Sequence, residues 1–68
     1  MFKVTIVLNN MKPIIVNMNN LQFKEFQTNK QLFTWLTLNK YSDDLKAEIE
    51  INVNNISLIH YKEIILNK

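Results

Sequence analysis

From its second residue the chain alternates apolar and polar positions with a period of two. Phe2, Val4, Ile6 and Leu8 take one side and Lys3, Thr5 and Val7 the other, the pattern of a half-buried strand over 2–8. A second alternation places Ile14, Val16 and Met18 on one face and Ile15 and Asn17 on the opposite one. Pro13 stands at the start of this run, where it removes no central ladder bond. Between the two runs lies Asn9-Asn10 in a chain with no glycine. Asparagine is the residue other than glycine that enters the left-handed region at low cost, so the Asn pair is expected to turn the chain. Residues 2–18 thus read as a β-hairpin.

A local pattern then recurs. Val16-Asn17-Met18-Asn19-Asn20-Leu21-Gln22-Phe23 matches Ile51-Asn52-Val53-Asn54-Asn55-Ile56-Ser57-Leu58 in its order of apolar, Asn and polar positions. Each copy reads as strand, Asn-Asn corner, strand. The chain divides on this reading into two three-stranded halves, 2–8, 13–18 and 21–27, then 32–39, 46–53 and 56–65. The fold class expected is all-β, a small antiparallel meander or SH3-like barrel of five to six strands.

Segment 28–39 carries a competing signal. Thr28-Asn29-Lys30-Gln31 has the form of a capping box, and Leu32, Trp35 and Leu36 fall at helical spacing. A helix at about 28–39 would give an α+β fold, β-β-α-β-β. Against it, Phe33-Thr34-Trp35-Leu36-Thr37-Leu38 is rich in aromatic and β-branched residues, which favours strand. As a strand it is apolar on both faces, with Leu32, Leu36 and Leu38 on one and Phe33 and Trp35 on the other. One face is then core and the other an interface.

Composition sets the scale. Sixty-eight residues, 47% hydrophobic and 21% charged, make one small domain, 1–68, that buries only about 60% of its unfolded surface and gains much from dimerisation. The absence of cysteine removes disulfides and thiolate metal sites, and the lone His60 assembles no metal centre unaided. No cofactor is expected. No apolar run approaches the roughly 20 residues of a membrane-spanning helix, and no secretory cleavage pattern follows the N-terminus, so a cytoplasmic location is expected. Every basic residue is lysine and asparagine is abundant, the bias of an AT-rich coding sequence, as in low-GC bacteria and their phages or plasmids.

Catalytic chemistry is sparse. There is no thiol, no glycine-rich phosphate loop and no H-E-x-x-H, and His60 with Glu63 or Glu50 is the one conceivable acid–base pair. A non-enzyme is expected. Charge is asymmetric: residues 1–40 set Lys3, Lys12, Lys24, Lys30 and Lys40 against Glu25, a net +4, whereas 41–68 carry a net −2. Two binding faces follow. Asp43, Asp44, Glu48 and Glu50 would present carboxylates to a basic groove on a partner protein, with Trp35, Tyr41 and Tyr61 as aromatic anchors of the type enriched at interface hot spots. Alternatively, Lys3, Lys12 and Lys24 near Phe26 would bind a nucleic-acid strand by phosphate contact and base stacking. The lack of arginine disfavours sequence-specific DNA readout.

The layout Val4-Thr5, Leu8-Asn9, Val16-Asn17, Leu21 and Thr37-Leu38-Asn39 resembles the small flagellar β proteins of the FlbD/SwrD type. Those carry an Asn-Gly turn where Asn10 stands here, and they lack the loop 40–46. Val16-Asn17-Met18-Asn19-Asn20-Leu21 is similar to an element of LytTR-type DNA-binding domains, without their basic recognition segment. In size, AT-rich bias and lack of catalytic residues the chain also resembles small phage or mobile-element proteins that inhibit host or defence machinery, for example of the CRISPR type. The function expected is a non-catalytic protein-interaction module, a homodimer that binds a host or defence protein, with a small nucleic-acid-binding domain as the alternative.

Overall fold

A computed structural model describes residues 1–41 and 48–65. Strand β1 (Phe2–Leu8) pairs antiparallel with β2 (Ile14–Met18), Val4 opposite Val16, so the expected hairpin forms. The turn between them depends on Asn10, whose φ of 64° is the one positive value among the described residues. With no glycine available, asparagine takes the left-handed position as anticipated.

The second Asn pair does something else. Asn19 is the N-cap of helix α1 (Asn20–Leu32). Its side-chain oxygen accepts from the Gln22 N–H at 2.8 Å, and Gln22 Oε1 accepts from the Asn19 N–H at 2.9 Å. This reciprocal pair satisfies two of the donors that a helix start leaves open. Residues 21–27, expected as a strand, are therefore helical, and Phe23 and Phe26, three apart, supply its buried stripe. Leu21, Gln22, Lys24, Glu25, Gln27, Lys30 and Gln31 are favourable or neutral helix formers, which a strand would not use. The capping box expected at Thr28 is not used as one, because Thr28 lies inside the helix. The α+β alternative is the nearer of the two expected classes, with the helix at 20–32 in place of 28–39.

The helix stops where the aromatic and β-branched run begins. Phe33 is already extended, and its N–H donates to the Asn29 carbonyl at 2.8 Å. Strand β3 (Trp35–Thr37) pairs antiparallel with β4 (Glu50–Asn52), and hydrogen bonds from Val53 N–H to the Thr34 carbonyl and from Leu38 N–H to the Ile49 carbonyl extend the ladder at both ends. Single 3₁₀ turns follow each strand, at Leu38–Lys40 and Val53–Asn55. The chain then runs into β5 (Ile56–Glu63). Here the expected strand, Asn-Asn corner, strand does occur, with Asn52 Oδ1 accepting from the Asn54 N–H at 2.9 Å.

The expected division into two three-stranded halves does not hold. One antiparallel sheet has the order β2-β1-β5, and β3-β4 form a separate two-stranded ribbon. Strand β5 crosses back to lie beside β1, Val4 opposite Tyr61, with a register shift at Val7 and Leu8 that skips Ser57. At this bulge the Ser57 hydroxyl lies 2.9 Å from Asn9 Oδ1 and 3.3 Å from the Val7 carbonyl, tying the start of β5 to the β1–β2 turn. Among the described residues the architecture is thus small, mostly antiparallel and β-rich, with one α-helix.

The core fills the space between these layers. Val4, Ile6, Leu8, Val16 and Met18 from the sheet meet Phe23 and Phe26 from α1 and Leu36, Leu38, Tyr41 and Ile51 from the ribbon region. Since β1 alternates strictly, its other residues, Lys3, Thr5 and Val7, face away from the helix. No helix among the described residues is long and apolar enough to cross a membrane.

Candidate functional site

Segment 33–38 divides by face as its pattern requires, except that Leu32, expected on the face of Leu36 and Leu38, ends the helix and is exposed. Leu36 and Leu38 are buried, whereas Trp35 is 59% exposed and Phe33 56% exposed. Burying Trp35 would require β3 to turn its outward face inward, and that face also holds Thr37, opposite Glu50 on β4. The inward positions of the ribbon belong to Leu36 and Ile51, which pair directly and close the core.

Between this edge and the C-terminal turn of α1 lies a cleft of about 190 Å³, lined by Asn29, Phe33, Trp35, Leu36, Thr37, Lys40 and Tyr41. Tyr41 is the anchor of its wall. The ring is 1% exposed and packs edge-on against Phe26 with centroids 5.5 Å apart. Its hydroxyl accepts a hydrogen bond from Asn29 Nδ2 at 2.8 Å, which ties the helix to the end of the ribbon. Among the described residues Lys40 is the charged residue of the lining, and no carboxylate lines the cleft. Lys30 sits one position along the helix from Asn29, its Nζ 5.9 Å from the centre of the Phe26 ring.

The expected site residues are distributed over several surfaces. Of the aromatic anchors, Trp35 and Tyr41 meet in the cleft, Trp35 exposed and Tyr41 part of the core. Tyr61 stands elsewhere, half exposed beside the stacked pair Phe2 and Phe23, 4.8 Å from the Phe23 centroid. Of the acidic residues, Asp43 and Asp44 lie outside the described residues. Glu48 and Glu50 are both exposed, and Glu48 Oε1 accepts from Asn39 Nδ2 at 3.0 Å.

The lysines of the nucleic-acid alternative do not converge. Lys3 is on the open face of the sheet, Lys12 follows the turn at Asn10, and Lys24 is exposed on the helix that covers the other face. Phe26 is fully buried, so no base stacks on it. A different cationic group does form. Lys3 lies directly opposite Lys62, and Thr5 opposite both His60 and Ile15, so the open face carries two lysines, a histidine and Asn17 without an acid from its three strands. Glu63 falls on the opposite face from His60 by strand alternation, and Glu50 is in the separate ribbon. The one conceivable acid–base pair is thus not assembled. Among the described residues no three His, Asp or Glu side chains gather where a metal ion would sit.

Phe33 was legible as the neighbour of Trp35 on the second apolar face. Asn29, Lys40 and Lys62 were not expected as site residues, because their places depend on where the helix ends and which strand joins β1. No protein-family model matches the chain, and no curated protein or solved structure matches it.

Proposed function

We propose that the protein is a non-catalytic protein-interaction module that engages a partner through the edge formed by Leu32, Phe33 and Trp35. The observation that supports this most is the exposure of the only tryptophan, together with a neighbouring phenylalanine and leucine, beside a cleft. Tryptophan at the rim of a pocket is the residue most enriched at binding hot spots. The AT-rich composition suggests its setting, a phage or mobile-element protein acting in the cytoplasm on a host or defence protein. Affinity capture from such a host by the wild-type chain and by Trp35→Ser tests the reading. A stoichiometric protein held by the first and released by the second, with unchanged circular dichroism, is the expected result. Retention of the same partner by Trp35→Ser would remove this edge from the interface.

A second reading keeps the nucleic-acid alternative on a different surface. The sheet face bearing Lys3, Lys62, His60 and Asn17, with no acid from its three strands, supports it, since like charges opposed across two strands favour an anionic partner. A gel shift with single-stranded DNA or RNA that weakens steeply with salt, and is lost in Lys3→Gln/Lys62→Gln, would establish it. Absence of any shift at low salt removes it.

A further inference from the structure

The cleft beside Trp35 has a size and chemistry that narrow the partner, an inference that rests on the protein-binding reading. Its volume of about 190 Å³ is somewhat larger than an apolar cavity of roughly 150 Å³ that holds one benzene ring. It is well short of the roughly 300 Å³ at which pockets for drug-sized ligands begin. One ring-sized group fits, and Phe33 and Trp35 give it aromatic walls.

The polar groups select charge. Among the described residues Lys40 lines the cleft, no carboxylate does, and Lys40 has no ion-pair partner. The Tyr41 hydroxyl already accepts from Asn29, so among the described residues its own proton remains to be donated. The carbonyl of Asn29, at the negative end of the helix, is taken up by the Phe33 N–H at 2.8 Å. Among the described residues an ammonium group would meet Lys40 and find no acceptor of opposite charge; a carboxylate would find both a cation and a hydroxyl donor.

We propose that this cleft anchors one aromatic or large aliphatic side chain of a partner protein, with a carboxylate next to it that pairs with Lys40. A nucleic-acid strand fits less well. Its affinity comes from many phosphate contacts, and one lysine among the described residues lines this site.

The only tryptophan of the chain reports directly on the cleft. The full-length protein, labelled with ¹⁵N, is titrated with N-acetyl-phenylalanine, with N-acetyl-phenylalaninamide and with adenosine monophosphate, following the Trp35 indole N–H and the Asn29 side-chain amide. The acid is expected to shift both signals saturably and to bind about threefold more tightly than the amide, the advantage expected of an exposed ion pair. Lys40→Met, at an exposed position, should abolish that advantage while leaving the amide's binding in place. Equal binding of acid and amide, no saturable shift up to about 50 mM, or tighter binding of the nucleotide would each overturn the proposal. If the fragments fail while Trp35→Ser still releases a captured protein, the anchor chemistry is wrong and the protein-binding reading stands. If the captured protein is indifferent to Trp35 as well, both fall.

Discussion

Replacing Asn19 by alanine tests the point at which the fold departs from an all-β meander. The substitution removes the Oδ1 that accepts from the Gln22 N–H at 2.8 Å, but it leaves the Asn19 backbone N–H free to keep its 2.9 Å bond to Gln22 Oε1. Half of the capping box is lost. Both residues are near the surface, so water replaces the missing acceptor and the loss should sit mid-range for such caps, about 1 kcal/mol. A stability of roughly 0.05–0.15 kcal/mol per residue gives a chain of this length about 3–10 kcal/mol in all. The change is therefore readable as a fall of about 4–8 °C in melting temperature, or as a lower urea midpoint at unchanged slope.

The informative control is the next residue. Asn20 opens the helix, and alanine is the better helix former, so Asn20→Ala should be neutral or stabilising by up to about 0.5 kcal/mol. In a β corner the order would reverse, because the second asparagine would occupy the left-handed region and alanine there costs about 1–2 kcal/mol. Urea titrations of both variants, with helical circular dichroism at 222 nm, decide the matter. The reasoning is refuted if Asn20→Ala is the more damaging of the two, or if Asn19→Ala unfolds within about 0.2 kcal/mol of the wild type.

Three further outcomes follow from particular contacts. Asn10, with φ of 64°, should accept glycine with little change in stability, whereas Asn10→Val should lose at least about 1 kcal/mol by urea titration; equal stability of the two would deny the left-handed turn. Phe26→Ala removes a fully buried ring that packs on Tyr41 and should cost about 3–5 kcal/mol by urea titration, a third or more of the whole stability. A loss under about 1 kcal/mol would place Phe26 outside the core. Lys62→Glu turns the pair with Lys3 from repulsive to attractive and should stabilise by about 0.2–1 kcal/mol, fading in 1 M salt; a decrease in thermal stability would contradict the register.

How much of this was legible follows from the range of each signal. The hairpin was read correctly because its evidence is local: strict alternation over 2–8, a proline at the second strand's entry and an asparagine that must supply the turn. The helix was missed at 20–32 because Asn serves both as a turn residue and as an N-cap. Asn19-x-x-Gln22 and Thr28-x-x-Gln31 have the same form, and only packing of Phe23 and Phe26 against the sheet selects the first. The repeat misled for the same reason. Its two copies place asparagines alike, yet Asn19 starts a helix of 13 residues and Asn52 a single 3₁₀ turn. The pairing of β5 with β1 joins residues distant in sequence, from Leu8 with Ile56 to Phe2 with Glu63, which no local pattern encodes, and the Lys3–Lys62 pair was invisible with it.

The two faces of segment 33–38 were legible, and their energetics bear on function. A domain this small is short of buried surface, and burying one large apolar side chain contributes about 1.5–3 kcal/mol, a large share of its whole stability. Leaving Leu32, Phe33 and Trp35 more than half exposed forgoes much of that contribution at three positions. The alternation of β3 forces only part of this choice. Leu36 and Ile51 must point inward, and Trp35 must then point outward, but nothing in the ladder requires a tryptophan at that position. Thr37, two residues on, fills the equivalent outward place at lower apolar cost. Phe33 is less constrained still, since it follows the helix and precedes the strand. Stability alone gives no reason for large apolar residues at 33 and 35. Association does, because the same side chains that contribute little to the isolated chain gain their full burial when a partner covers them. On this argument Trp35→Thr should leave the unfolding free energy within about 0.5 kcal/mol of the wild type while removing the partner, a separation of folding from binding that a core tryptophan would not show.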